Sequence, residues 1–125
     1  MPTVTVNFKG MLQDSQDVGS DDDHMVSRVF FSVTADGQTV DNLHSDVKQT
    51  VGSDYATEPL EVTRPAYDGP MNWTEFRQCV ESYYRQALRR FVRYSAGTVI
   101  RMRDNRVELP QSCSFEAAGT GGAGW

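Results

Sequence analysis

The chain has 125 residues, which fits one domain, because domains most often contain roughly 100 to 150 residues. Its hydrophobic fraction of 38% and charged fraction of 23% indicate neither wholesale disorder nor a membrane protein. No window holds about 18 consecutive apolar residues, and the first residues (MPTVTVNFKG) lack the basic flank and apolar run of a signal peptide. We therefore expect a cytoplasmic protein that does not enter a membrane.

The strands of the first third are predicted from alternation. Residues 3–8 (TVTVNF) alternate strictly and predict a half-buried strand. Residues 10–24 contain five aspartates, and their apolar residues follow no sustained period. This pattern predicts a long acidic loop. Residues 25–34 (MVSRVFFSVT) predict a second strand that is partly covered on both sides, because Phe30 emerges opposite Phe31.

A turn and a weaker set of strands follow. Asp36 and Gly37 predict a type I′ turn, so residues 38–43 should return antiparallel to the second strand. Residues 43–51 fit both a four-residue and a two-residue spacing, and we favour a strand. Residues 55–62 contain a proline, which confines them to an edge strand or irregular extended structure, and residues 64–70 form a turn-rich connector.

The best-specified element is a helix that begins after Asn72. Asn72 and Glu75 have the spacing of a capping box, while Met71 and Phe76 have that of a hydrophobic staple. The helix should end near Gly97, a residue suited to the left-handed position after a helix. One face is aromatic and apolar over five turns. Its members are Trp73, Phe76, Val80, Tyr83, Tyr84, Ala87, Phe91 and Tyr94, extended by Leu88.

Residues after the helix predict a short hairpin and a tail. Residues 98–103 (TVIRMR) alternate, Asp104 and Asn105 provide a turn, and residues 106–109 form a short return strand. Residues 110–125 are rich in glycine and predict a disordered end, at least from Ala117. We expect one compact domain over residues 1–116 and a disordered tail over 117–125. The fold class is α+β, with an antiparallel sheet of four to six short strands packed in two layers against one long helix in the C-terminal half.

The two cysteines, Cys79 and Cys113, are too far apart for a CxxC redox motif or a zinc knuckle. They could form one disulfide. Without a secretion signal, we expect reduced, half-buried thiols that pack as small apolar residues. The two histidines, His24 and His44, neither support nor exclude a Cys/His pair.

Charge is distributed unevenly along the chain. The net charge is −5, yet residues 73–106 hold 8 basic and 3 acidic residues, whereas residues 1–72 hold 4 basic and 12 acidic residues. Arg85, Arg89 and Arg93 form one row on the polar face of the predicted helix. No acid interrupts that arc, and like charges at this spacing carry a mild energetic cost. Phosphates, an acidic protein or the Asp-rich loop could offset this cost.

Metal binding and catalysis have little support in the sequence. The acidic cluster comprises Asp14, Asp17, Asp21, Asp22, Asp23 and His24. It offers hard oxygen ligands for Ca²⁺ or Mg²⁺, but its spacing does not match an EF-hand, and we favour a solvated loop without a metal. The chain contains no G-x-S-x-G, H-E-x-x-H, P-loop or G-x-G-x-x-G pattern. No cofactor or small-molecule ligand is indicated.

The sequence therefore favours a non-catalytic binding or assembly module that contacts an acidic protein partner, or itself, through the arginine-bearing helix face. The expected contact residues are Arg85, Arg89, Arg93, Arg101 and Arg103. The exclusive use of arginine after Lys48 favours bidentate contacts to carboxylates or phosphates. A nucleic-acid-binding protein using the same face is the first alternative, although the acidic composition argues against it. A small enzyme of unknown reaction is the second.

Overall fold

The structure, a computed structural model, describes residues 2–14, 24–50, 60–94 and 106–118. In these ranges an antiparallel sheet of six strands packs against one helix, which confirms the predicted two-layer α+β class. The elements are β1 (Thr3–Asp14), β2 (His24–Ala35), β3 (Gln38–Thr50), β4 (Glu61–Val62), α1 (Trp73–Tyr94), β5 (Arg106–Val107) and β6 (Gln111–Glu116).

The strand order is β4-β3-β2-β1-β5, and β6 also pairs with β1. All pairings are antiparallel. Strands β5 and β6 lie on the same side of β1: β5 is opposite Met11 and Leu12, while β6 runs along residues 3–8. Among the described residues, the last strand therefore pairs with the first.

The hairpin between β2 and β3 has the predicted turn. Asp36 has a φ of 53° and Gly37 a φ of 74°, and both central residues of a type I′ turn require positive φ. Ala35 and Gln38 pair directly at the base of this turn. The Asp-Gly prediction is confirmed.

Strand β1 contains a bulge that the alternation did not reveal. The register with β2 shifts between Phe8 and Gly10, so the buried positions change from Phe8 to Met11. A Cβ at Gly10 would lie 2.7 Å from the carbonyl oxygen of Val107, so no side chain fits there. The predicted loop is wrong over residues 10–14, because the bulge interrupts the two-residue period and the strand continues through Asp14.

Strand β3 is one long strand with a bulge of its own. Its register with β2 shifts between the pairs Phe31–Leu43 and Val33–Val40, and Asn42 in the bulge has a φ of 60°. The favoured strand over residues 43–51 is confirmed as far as Thr50. Its pattern was ambiguous because two buried positions, Ser45 and Gln49, are polar.

Helix α1 covers one face of the sheet, called the inner face here, with the predicted aromatic residues. The side chains of Trp73, Phe76, Val80, Tyr83, Tyr84 and Ala87 are all at most 2% exposed. Tyr83 stacks on Phe8 with ring centroids 4.5 Å apart, and Phe76 lies 5.3 Å from Phe31. These contacts fix which side of α1 faces the sheet.

The start of α1 has the predicted cap. The backbone N–H of Glu75 donates to Oδ1 of Asn72 at 3.3 Å, and the N–H of Phe76 donates to the Asn72 carbonyl at 2.9 Å. Met71 and Phe76 are both fully buried, as expected of a hydrophobic staple. The preceding residues 64–70 form the predicted connector without a strand or helix.

Two expectations for the C-terminal part need correction. The expectation of reduced thiols is wrong, because Cys79 of α1 and Cys113 of β6 form a disulfide. Pairing of β6 with β1 brings Cys113 beneath the helix, at a Cα–Cα distance of 6.3 Å from Cys79. Strand β6 was also not predicted. Ala117 beyond it is 4% exposed, and its N–H donates to the Pro2 carbonyl, so the packed chain extends at least to Ala118.

Several predictions lie outside the described residues: most of the acidic loop (15–23), the break and start of the next segment (51–59), the helix end at Gly97, the strand 98–103 with its turn, and residues 119–125 of the tail. The predicted edge strand is found as β4, and the return strand as β5. In the described part of the chain, no helix combines the length and the apolar character needed to span a membrane.

Candidate functional site

The polar side of α1 carries the described members of the predicted arginine row. Arg89 is exposed, as is its neighbour Arg90. Arg85 is half-buried and already takes part in an interaction within the molecule. Arg93 lies in the last turn of α1. The structure therefore brings the row together on one helix, with Arg89 as its most accessible described member. We call the side of α1 that carries Arg85 and Arg89 the arginine face.

The orientation of the arginine face is set by polar as well as apolar contacts. The hydroxyl of Tyr84 donates to Oε1 of Gln49 on β3 at 2.7 Å, in a buried hydrogen bond. On the other side of the helix, the disulfide from Cys79 holds β6. Together with the aromatic contacts to β1 and β2, these links prevent rotation of α1 about its axis. Arg89, on the opposite side, stays in solvent.

Neutral residues lie beside these arginines on α1, and the acidic residues of the helix are Glu75, which is exposed in its first turn, and Glu81, which is half-buried. Gln78, Ser82 and Gln86 are exposed, as expected, and Nε2 of Gln86 donates to Oγ of Ser82 at 3.5 Å. The other two predicted contact residues, Arg101 and Arg103, lie outside the described residues. The site as described thus consists of arginines from two consecutive turns beside neutral hydrogen-bonding side chains.

The face of the sheet opposite α1, called the outer face here, holds charged residues that the sequence interpretation missed. Arg28 on β2 makes a two-pronged ion pair with Asp46 on β3: Nε to Oδ1 is 2.9 Å, and Nη2 to Oδ2 is 3.2 Å. These hydrogen bonds raise the pKa of Arg28. Lys9 reaches Asp41 at 3.1 Å on the same sheet. Both pairs join residues from different strands, so no local spacing signals them.

Phe30 of β2 lies on the outer face. It is half-buried, and the guanidinium carbon of Arg106 lies 5.0 Å from its ring centroid. His44, its neighbour on β3, is exposed. The expectation that β2 is partly covered on both sides is confirmed. The sequence signal was Phe30 between two polar residues, but nothing local linked it to Arg106.

Polar groups are also buried between α1 and the sheet. Ser45 donates from its hydroxyl to the Thr63 carbonyl. The hydroxyls of Ser27 and Tyr83 have no hydrogen-bond partner among the described residues. Burial raises the pKa of Tyr83 to about 12, and the positive charges of Arg106 and Arg90 partly oppose this rise. Tyr83 therefore stays neutral at ordinary pH.

No metal site is described. Within residues 2–14, 24–50, 60–94 and 106–118, no group of three or more His, Cys, Asp or Glu side chains could hold a metal ion. Asp17, Asp21, Asp22 and Asp23 of the acidic cluster lie outside those ranges.

Comparison with protein-family models, with curated proteins and with solved structures finds no match to this chain.

Proposed function

We propose that this protein is a non-catalytic binding module that contacts an acidic protein partner through the arginine face of α1. The observation that carries the proposal is the exposure of Arg89 on a helix whose opposite side is locked onto the sheet. A helix held in this way presents its guanidinium groups without rearrangement, and preorganisation lowers the entropic cost of binding.

The chemistry of the side chains supports a carboxylate partner. A guanidinium offers a planar fork of donors that matches a carboxylate with two parallel hydrogen bonds. The molecule already uses this geometry in the pair of Arg28 with Asp46. The chain as a whole has a net charge of −5 and a sequence pI near 4.9, which disfavours general attraction to nucleic acid. An acidic segment that reaches the arginine face locally fits both facts.

The test uses a fluorescein-labelled peptide of ten glutamates and a labelled single-stranded DNA of 20 mixed nucleotides, each titrated with the protein and followed by anisotropy at low and physiological salt. We expect the peptide to bind and the Arg89→Glu variant to weaken it about tenfold, which is about 1.4 kcal/mol. Arg89→Lys should recover only part of the loss, because an ammonium group cannot form the bidentate contact.

The matched control is Lys48→Glu, which makes the same charge reversal at an exposed position on β3. Equal weakening by both variants would show that only net charge matters and would overturn the proposal. Binding of the DNA instead of the peptide, with a steep salt dependence, would favour the nucleic-acid alternative. Binding of neither probe would remove the arginine face as a site. The small-enzyme alternative stays a prediction that no observation favours.

The cellular compartment of the protein is also a prediction. The predicted cytoplasmic location stays a prediction, and the disulfide between Cys79 and Cys113 weighs against it, since disulfides persist mainly in oxidising compartments. Fractionation of the native cells, with thiols alkylated at the moment of lysis, distinguishes a cytoplasmic location from an oxidising compartment. Recovery of alkylated Cys79 in the cytosolic fraction would support the prediction.

A further inference from the structure

The two edges of the sheet are protected to different extents. At one edge, β3 has a bulge with Asn42 at a positive φ, and part of its length is covered because β4 pairs with Val47 and Lys48. The N–H of Thr63 also donates to the Asp46 carbonyl. Bulges, charges and short covering strands are devices that prevent one sheet edge from pairing with another.

At the other edge, β6 has fewer of these devices. Its six residues, QSCSFE, pair with β1 without a register shift. In the described part of the chain, no strand lies on its far side. It contains neither proline nor lysine, and its one charged residue, Glu116, is at its end. A regular strand of this kind presents unpaired backbone donors and acceptors to any second strand.

Strand β6 is also held rigidly. It is hydrogen-bonded to β1 over residues 3–8, and the disulfide to Cys79 ties its centre to α1. A strand anchored on one side and from above loses little conformational entropy when another strand pairs with its free side.

A row of hydroxyl groups crosses the outer face and stops at this edge. Thr39, Thr34, Thr5 and Ser114 are neighbours on β3, β2, β1 and β6. The hydroxyls of Thr34 and Thr39 are 2.9 Å apart, and those of Thr5 and Ser114 are also 2.9 Å apart. Cross-strand pairs of hydroxyl residues stabilise neighbouring strands. The row ends at Ser114 only because the described sheet ends there.

We propose that β6 pairs antiparallel with β6 of a second copy of this chain, so that two sheets join into one. In the register centred on Cys113, Ser112 is opposite Ser114 of the second copy, which continues the hydroxyl pairing. An antiparallel edge pair has its two-fold axis perpendicular to the sheet, so both copies of α1 lie on the same face. The interface is isologous and closes as a dimer.

The charges of β6 favour a second copy over an unrelated strand. In this register the two Glu116 carboxylates lie at opposite ends of the interface, so they do not repel each other. Ser112 and Ser114, which face each other between them, are exposed, neutral and able to donate and accept hydrogen bonds, and Gln111 is opposite Phe115 of the second copy. The edge is therefore complementary to itself. The arginine face takes no part in this contact, so the dimer and the proposed function stand or fall independently.

The test is the mass of the protein by sedimentation equilibrium. We expect the wild type to be a dimer at micromolar concentration. The double variants Ser112→Lys/Ser114→Lys and Ser112→Glu/Ser114→Glu should each be monomers, because like charges face each other across the edge. An equimolar mixture of the two should recover the dimer. This recovery separates the effect from misfolding, since an unfolded variant would not be rescued by the opposite charge.

Two controls locate the contact. Thr39→Lys/His44→Lys adds the same charges to exposed positions of β3 and should remain a dimer, and so should Arg89→Glu. A monomeric wild type would overturn the proposal. So would a dimer that persists in both β6 variants, or one that Arg89→Glu dissociates, because the contact would then lie elsewhere.

Discussion

The two faces of the sheet share the same strands yet have opposite character. On the inner face, Val4, Val6 and Phe31 are at most 1% exposed beneath α1. On the outer face, the alternate residues Thr5 and Thr34 carry hydroxyls that are part exposed. Because burial of apolar area is the main stabilising contribution, the inner face supplies most of the folding free energy. The exposed side chains of the outer face and of β6 can therefore change with little loss of stability.

The largest expected effect is on the inner face. Phe76→Ala should lower the free energy of unfolding by about 3 to 5 kcal/mol, because it removes a fully buried ring and leaves a cavity. Phe30→Ala, the same change on the outer face, should cost about 1 kcal/mol, since Phe30 is only half-buried. Urea unfolding of both variants measures the difference. Equal losses of unfolding free energy in the two variants would show that the outer face stabilises the fold as much as the inner face does.

The disulfide should contribute nearly as much. Cys79 and Cys113 close a loop with a sequence separation of 34 residues, for which the chain-entropy relation gives about 4 kcal/mol. The double variant Cys79→Ser/Cys113→Ser should lose about 2 to 4 kcal/mol in urea unfolding. A reductant should destabilise the wild type to the same extent and leave the double variant unchanged. A wild type that is insensitive to reductant would show that the bond is not formed.

Stability at alkaline pH should depend on Tyr83, which is buried on the inner side of the sheet. Its pKa is raised from 10.0 to about 12, so the folded protein keeps a proton that the unfolded chain releases. The free energy of unfolding includes the full contribution of Tyr83 below pH 10. It falls by about 2 kcal/mol as the pH rises toward 12. Tyr83→Phe should lose stability less steeply than the wild type in this range. Parallel curves for the two proteins would show that Tyr83 does not cause the decline.

The smallest effect is expected on the outer face. Thr5→Val keeps the shape of the side chain but removes the hydroxyl that lies 2.9 Å from Ser114. We expect a change below about 0.5 kcal/mol, because exposed hydrogen bonds exchange readily with water. Thermal unfolding at several protein concentrations measures it. A loss above 2 kcal/mol would mean that the outer face is structural.

The sequence predicted correctly the elements that depend on residues close together in the chain. The Asp36-Gly37 turn, the Asn72 cap and the aromatic side of α1 each depend on residues within a few positions of one another, and all three are as predicted. The arginine face was predicted for the same reason, because a helix fixes the direction of residues four positions apart. Its function as a binding surface stays a proposal.

The errors arise where alternation is interrupted or where contacts are distant. The bulge at Gly10 hid the second half of β1, and the buried polar residues Ser45 and Gln49 blurred β3. Strand β6 has only two apolar residues, Cys113 and Phe115, and both are half-buried. Its composition therefore resembles that of the tail that follows it. Its identity as a strand comes from its pairing with β1.

The sequence alone determined the hairpin, the helix, its cap and the two-layer class, because short-range backbone preferences and apolar periodicity act within a few residues. The strand order, the disulfide and the edge position of β6 in the described sheet follow only from the folded chain. These depend on pairs such as Thr3 with Glu116, which lie at opposite ends of the chain. Such pairs form only when the whole sheet closes, and no local pattern records which distant strand supplies the missing hydrogen bonds.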